Sequence, residues 1–332
     1  MEFISDYGMF AAKAVTILIV IWVIIALIMS AAQKHQDDDQ IEVKNLNKKF
    51  ADMKLIMQRS MLGKKEVKAL LKKNKKESKK KDDDRKRVYV LNFVGNIKAS
   101  AVKHLRKEIT ALLSVASSND EVVVCLENAG GMVHEHGLAA SQLQRIKDRQ
   151  IPLTVAVDKV AASGGYMMAC VADRIVAAPF SIIGSIGVIA QMPNFNKMLE
   201  KHGIEYEQVK AGDLKRTLTM FGKNTEEDRA RLTEQMEETH DLFKEFVADH
   251  RSQLDIAKIA TGEHWLGKKA LELQLVDELI TSDDYLLKQS EHADVYEIKH
   301  SGPKSFSEKI FANAEMAFEK VLTAWWEKKL LS

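Results

Sequence analysis

The chain reads as an α/β fold, and three observations point that way. Valine-rich runs of six to eight residues alternate with amphipathic segments of 10–17 residues between positions 88 and 179. The runs are apolar at nearly every position, as strands buried on both faces of a parallel sheet are. Two of them end in turns rich in glycine and small residues, the punctuation of βαβ units.

The first folded strand is VYVLNFVG (88–95), followed by the amphipathic helix SAVKHLRKEITALLSVA (100–116). EVVVCLEN (121–128) is the next strand and HEHGLAASQLQRIKD (134–148) the next helix. PLTVAVD (152–158), the helix SGGYMMACVA (163–172) and the short strand RIVAAP (174–179) complete the alternation. Downstream, 225–252 predicts a long polar helix and 267–274 a shorter one. LVDELI (275–280) predicts a last strand.

The flanks differ in composition. Residues 14–33, AVTILIVIWVIIALIMSAAQ, are twenty uncharged residues, enough at about 1.5 Å per residue to cross a hydrocarbon core of about 30 Å. This run is longer than a signal-peptide core, and two acids precede it, so an uncleaved anchor is expected. Lys13 on one side against Lys34, Lys44, Lys48 and Lys49 on the other favours a cytoplasmic carboxyl side. From 41 to about 71 the spacing of Val43, Leu46, Phe50, Met53, Ile56 and Met57 predicts a helical face, and 64–87 is a lysine-rich solvated linker. Residues 307–331 place Ile310, Phe311, Ala314, Phe318, Val321, Leu322, Trp325 and Trp326 on one stripe of a final helix. The expected organisation is therefore an anchor over 1–33, a linker over 34–87, one folded domain over 88–300 and an amphipathic helix over 301–332.

Composition excludes some classes. The 332 residues carry 49 Lys and Arg against 47 Asp and Glu, so no nucleic-acid partner is expected. The two cysteines, Cys125 and Cys170, both sit in apolar runs. They predict buried free thiols and no disulfide framework, and no Cys/His spacing suggests zinc.

The chemistry concentrates at glycine turns. Ser163 precedes Gly164 and Gly165 where a strand passes into a helix. A serine there is either a helix N-cap or a nucleophile whose target carbonyl oxygen meets unpaired backbone N–H groups. Gly130 and Gly131 make a second turn after the strand ending at Asn128. Two such turns at neighbouring strand ends can face each other across the carboxyl edge of a parallel sheet. A base is still required. His134 and His136 stand nearby but read as surface residues at a helix start, and a desolvated lysine is the other option.

Five stretches carry a resemblance. VLNFVGNIKAS, ENAGGMVHEHGLAASQLQRI, DKVAASGGYMMACVADRIVAAPFSIIGSIGVIAQMPNF, AGDLKRTLTMFGKNTEE and TGEHWLGKKALELQLVDEL, within Val88 to Leu279, resemble the signal peptide peptidase A family of bacterial serine peptidases, above all its short SohB-type inner-membrane members. The resemblance implies a ClpP/crotonase-like core of repeated ββα and βαβ units behind a single N-terminal transmembrane helix. It implies a Ser-Lys dyad, with Ser163 as nucleophile and Lys215 as general base. It further implies that the N–H groups of Gly130 and Gly164 receive the oxyanion, and that Ser185 positions the lysine amine. No metal or organic cofactor is expected.

The partners implied are peptide or membrane-protein substrates, the lipid bilayer, and copies of the same chain sharing the dyad. The family location outside the inner membrane opposes the lysine asymmetry. One departure stands out: where such proteins usually read Ser-Pro-Gly-Gly, this chain has Asn128-Ala129-Gly130-Gly131. Losing the proline removes a fixed φ and predicts a less rigid turn. That departure motivates the alternative reading, an inactive scaffold of the same fold. An acyl-CoA enzyme of the crotonase type shares the glycine logic but would need carboxylates aimed at its substrate and no anchor.

Overall fold

The computed structural model describes residues 8, 13, 15–23, 40–63, 66–67, 85–212, 215 and 218–301. Two compact units are distinguished, Ile41–Lys299 and a second made of Met1–Gln40 with His300–Ser332. In the second, residues 15–23 are helical with exposed apolar side chains such as Ile17, Leu18 and Trp22. The rest of the expected anchor lies outside the described residues, as does the final helix over 307–331. Among the described residues no helix is long and apolar enough to cross a membrane.

The larger unit opens with β1 (Gln40–Asn45) and α1 (Leu46–Met61), then β2 (Arg87–Gly95), α2 (Val102–Leu113) and β3 (Glu121–Asn128). There follow α3 (Val133–Lys147), β4 (Leu153–Val157), β5 (Val160–Ala162), α4 (Gly164–Ala169), β6 (Arg174–Ala177) and β7 (Ile182–Gly184). The remainder is α5 (Asn196–Lys201), α6 (Glu226–His250), α7 (Ile256–Ile259), β8 (His264–Leu266), α8 (Gly267–Glu272), β9 (Glu278–Leu279), α9 (Ser282–His292) and β10 (Asp294–Ser301). The strands join in one sheet of order β1-β10-β2-β3-β4-β6-β9.

That sheet is buried on both faces, which explains the unbroken apolar runs. Along β2, Tyr89, Leu91 and Phe93 enter one core while Val88 and Val90 enter the other. The larger core is roofed by α2, whose Leu105, Ile109 and Leu112 are fully buried, each worth about 1.5–3 kcal/mol. The smaller core lies under α1 and α9, with Leu46, Tyr285 and Leu286 packed on Val123, Ala156 and Val176. Burial and a hydrogen bond to Glu121 push the Tyr285 hydroxyl up to about 12, so it remains a donor there.

The sheet forks at β3. Its first half pairs in parallel with β4, from Val122↔Leu153 to Cys125↔Ala156, whereas its last residue, Asn128, pairs with Ala161 of β5. From β5 the branch continues to β7 in parallel and to β8 antiparallel. These three strands have three residues each, too few for a periodic pattern, and the sequence reading passes over them. It also passes over α9 and β10.

One stretch differs from its expected role. Residues 40–45, read as part of a helical linker, form a strand beside β10, and α1 packs on α9. Asn47 explains the docking. Its Nδ2 donates to the carbonyls of Ser290 and Ala293 at 2.9 Å each, and its Oδ1 accepts the Val295 N–H at 2.6 Å. Three bonds between α1 and the α9–β10 corner outweigh the weak apolar periodicity of the segment. Asn47→Ala in the full chain is expected to lower stability by about 2 kcal/mol, read as a lower urea midpoint at unchanged slope; an unchanged midpoint would show that α1 is not tied to the core.

Candidate active site

Two glycine turns leave the adjacent parallel strands β3 and β5 and meet. The register Asn128↔Ala161 puts the turn after Asn128 beside the turn after Ala162. A Cβ placed on Gly130 would lie 2.7 Å from Ser163 Cβ, 2.8 Å from the Ala162 carbonyl oxygen and 2.9 Å from the Gly164 nitrogen. One placed on Gly165 would lie 2.1 Å from the Asn128 carbonyl oxygen. Neither position admits a side chain, and Gly130 also holds φ +92°, which disfavours any other residue.

Ser163 is partly buried at the start of α4, with φ +51° and ψ −118°. A positive φ is unusual for a serine and stores strain, which functional turns often do. Its backbone N–H donates to the Gly184 carbonyl at 2.8 Å, and its carbonyl accepts the Met167 N–H at 3.0 Å. The side chain makes no capping hydrogen bond. The backbone is therefore pinned at both ends while the hydroxyl is left uncommitted to the helix, which weakens the capping reading of this serine.

The second strand of the branch, β7, brings Ser185 close. Ala162 pairs with Gly184, so Ser163 and Ser185 each follow one member of the same pair. Ser185 has φ +53° and donates its N–H to the Glu263 carbonyl at 2.6 Å. Gly184, between strand and turn, has φ +104° and would meet the Trp265 ring at 2.9 Å if it carried a Cβ.

Lys215 is the remaining expected residue. It lies exposed on the segment between α5 and α6, its N–H bonded to the Gly212 carbonyl at 3.1 Å. Among the described residues no hydrogen bond joins its side chain to Ser163 or Ser185. Gly130, Ser163, Gly164 and Ser185 thus come together, and no hydrogen bond ties the Lys215 side chain to them among the described residues.

At the turn that lacks the proline, Asn128, 1% exposed, accepts the Gly130 N–H through Oδ1 at 2.8 Å. That bond means the Gly130 N–H, expected as an oxyanion donor, already has a partner. One expectation is corrected: His136 is not a surface residue. It is fully buried, with Nε2 3.2 Å from Asn128 Oδ1 and Nδ1 2.9 Å from the Met132 carbonyl, while His134 is exposed as expected. The i, i+8 distance from Asn128 across a glycine turn conceals this contact in the sequence.

The thiols are bystanders. Cys170 is buried as expected and Cys125 only partly; burial pushes Cys125 up to about 12, aided by Asp158, and raises Cys170 too, which disfavours the thiolate in both. Among the described residues no cluster of His, Cys, Asp or Glu is arranged to hold a metal ion.

A strained serine between strand and helix, facing a glycine turn at the carboxyl edge of a parallel sheet, is a layout suited to hydrolytic acyl transfer. Comparison with known proteins narrows the class. The model of peptidase family S49 matches residues 145–296, and that of its N-terminal region matches 2–143. The chain is 46% identical to a protein of Haemophilus influenzae named probable protease SohB, over 95% of this chain and 94% of the relative. It is 44% identical to a protein of the same name from Buchnera aphidicola subsp. Schlechtendalia chinensis, over 87% of this chain and all of the relative. The chain belongs to peptidase family S49, and its mixed α/β fold with a large sheet fits the ClpP-like core of that family.

Two glycines predict opposite responses to the same substitution. Gly165→Ala is expected to lower stability by about 3 kcal/mol or more, because the clash is with backbone. Gly137→Ala, inside α3 with nothing within 4 Å of the new methyl, is expected to raise it by about 0.5–1 kcal/mol. Thermal unfolding of the two variants beside the parent checks both signs.

Proposed function

We propose that this peptidase is a serine endopeptidase that works through an acyl-enzyme on Ser163. The observation that carries the reading is the uncommitted Ser163 hydroxyl on a strained turn, with Gly130 and Gly164 close by. In the proposed reaction neutral Lys215 takes the hydroxyl proton as Ser163 Oγ attacks the peptide carbonyl. The carbonyl oxygen gains the electron pair and turns toward the N–H groups of Gly164 and Gly130. Collapse expels the amine, which takes the proton from Lys215. Water, deprotonated by the same lysine, then releases the acid.

The lysine enters, on this reading, from a neighbouring copy of the chain, and Ser185 receives its amine. Support comes from the lack, among the described residues, of a hydrogen bond from the Lys215 side chain to Ser163 or Ser185, and from the exposed apolar residues of its segment, Val209 above all. The substrates fit apolar peptide: Ile97, Met132 and Val133 are exposed around the Gly130–Gly131 turn. Signal peptides and misfolded membrane or envelope proteins have that character. The apolar run over 14–33 would anchor the enzyme at the inner membrane, with the peptidase domain on the outer side.

A fluorophosphonate probe tests the nucleophile. The parent chain is expected to be labelled and Ser163→Ala not; equal labelling of the two would sink the assignment. Lys215→Ala is expected to reduce turnover at least 100-fold, the scale of losing a general base. Co-expression tests the sharing. Mixed assemblies of Ser163→Ala and Lys215→Ala chains are expected to recover about a quarter of parental activity, since random mixing leaves about one site in four with both groups intact. No recovery in assemblies shown to be mixed would place the dyad within one chain.

A further inference from the structure

The bond between Gly130 and Asn128 raises a question that the reaction above must answer, namely how the Gly130 N–H is released. Asn128 is 1% exposed and His136 0% exposed, so their polar atoms have only each other and the backbone to satisfy them. The Met132 carbonyl 2.9 Å from His136 Nδ1 only accepts, so a neutral ring carries its proton on Nδ1 and offers a lone pair at Nε2. That lone pair faces Asn128 Oδ1 at 3.2 Å, another acceptor. The amide nitrogen of Asn128 meanwhile has the Met168 sulfur at 3.5 Å, a weak acceptor. The amide therefore satisfies Gly130 and leaves both its own NH2 and His136 poorly served. Turning it over would reverse this: the NH2 would donate to His136 Nε2, and the Gly130 N–H would lose its acceptor.

We propose that Asn128 is a positioning residue that exchanges partners during the reaction. In the empty site it holds the Gly130 N–H. When the substrate oxygen takes that N–H, the amide turns and donates to His136. After the exchange the Gly130 N–H is bonded to the substrate and one amide N–H to His136, and this gain is set against the amide oxygen, which then lies beside the Met168 sulfur without a donor. His136 is held for this role by Gly164, whose Cβ position would lie 2.4 Å from the ring Cγ. The side chain that receives the amide thus lies against the residue of the second donor. This role rests on the reading that the Gly130 N–H receives the oxyanion.

A double-mutant cycle on the full chain tests it, with the rate at which a fluorophosphonate phosphonylates Ser163 and loses fluoride standing in for acylation, measured per reactive site so that misfolded protein does not count. His136→Phe keeps the ring volume but removes the waiting acceptor, and is expected to slow acylation roughly five- to tenfold, the worth of one net hydrogen bond. Asn128→Ala removes the hold and is expected to acylate at least as fast as the parent. In the Asn128→Ala background, His136→Phe is expected to change nothing. A merely structural role gives the opposite pattern, with Asn128→Ala slower and the His136→Phe loss undiminished beside it, and overturns the proposal. A second readout needs no chemistry. In Ser163→Ala chains labelled with 15N-glycine, Asn128→Ala must shift the Gly130 amide resonance, and an unmoved resonance overturns the proposal whatever Ser163 does. A shifted resonance in a protein whose parent is never acylated upholds the contact and strikes the nucleophile assignment instead.

Discussion

The close approach of two turns is the constraint on which the rest of the site depends. Because Asn128 pairs with Ala161, the chain leaving β3 and the chain leaving β5 run within van der Waals contact, leaving no room for a Cβ at Gly130 or Gly165. Glycine is required there by space and, at Gly130, by φ as well. The same crowding sets Ser163: its N–H is drawn to Gly184 across the next strand pair, and the turn accepts a positive φ. The strain at Ser163 is tolerated because β5, held between β3 and β7, over-determines its position.

The fork of the sheet makes that approach possible. Had β3 continued to pair with β4 to its end, the β4–β5 connection would lie outside the sheet and the serine turn with it. The partner switch between Cys125 and Asn128 turns the chain after Val157 toward a short second branch, and β7 and β8 close that branch with Ser185 at its rim. A rigid base is needed to hold such short strands. Beneath them Tyr166, fully buried in α4, donates to the Leu275 carbonyl, and Arg251, 3% exposed, grips Asp277 through two nitrogens at 2.7 and 2.9 Å. Fully formed, this network fixes the helix that follows the serine; removing Asp277 would leave the buried Arg251 charge without its partner.

The long elements were legible because burial on both faces writes itself into composition. The strand over 121–128 and the helices over 134–148 and 225–252 were placed to within two residues at each end, since each is long enough to show its period. The three-residue strands of the branch are too short to show one. β1 was hidden for another reason: it is held by Asn47 and by its neighbour β10, contacts more than 240 residues away in sequence. At the site, the glycines and Ser163 announce themselves as local chemistry. The Asn128–His136 pair does not, because a buried asparagine and histidine facing each other have no spacing rule. The resemblance marked Asn128 as a departure; only the fold shows that its side chain bonds the Gly130 N–H across the turn.

The segment carrying Lys215 fits the proposed sharing of the site between copies. It is not a featureless loop: Asn194 donates to the carbonyls of Thr219 and Gly222, Phe195 takes the Met220 carbonyl at 2.7 Å, and the Phe221 ring stacks on Phe195 and leans on Tyr206. These contacts organise the arm around itself. Yet Ile204, Tyr206, Met220 and Phe221 remain more than a third exposed, and Val209 is 99% exposed. An arm that builds its own order and still presents apolar side chains is shaped to be completed by another surface. On the proposed reading a lone chain holds a strained serine and a Gly130 N–H already bonded to Asn128, assembly would bring the lysine, and the substrate would take up the N–H.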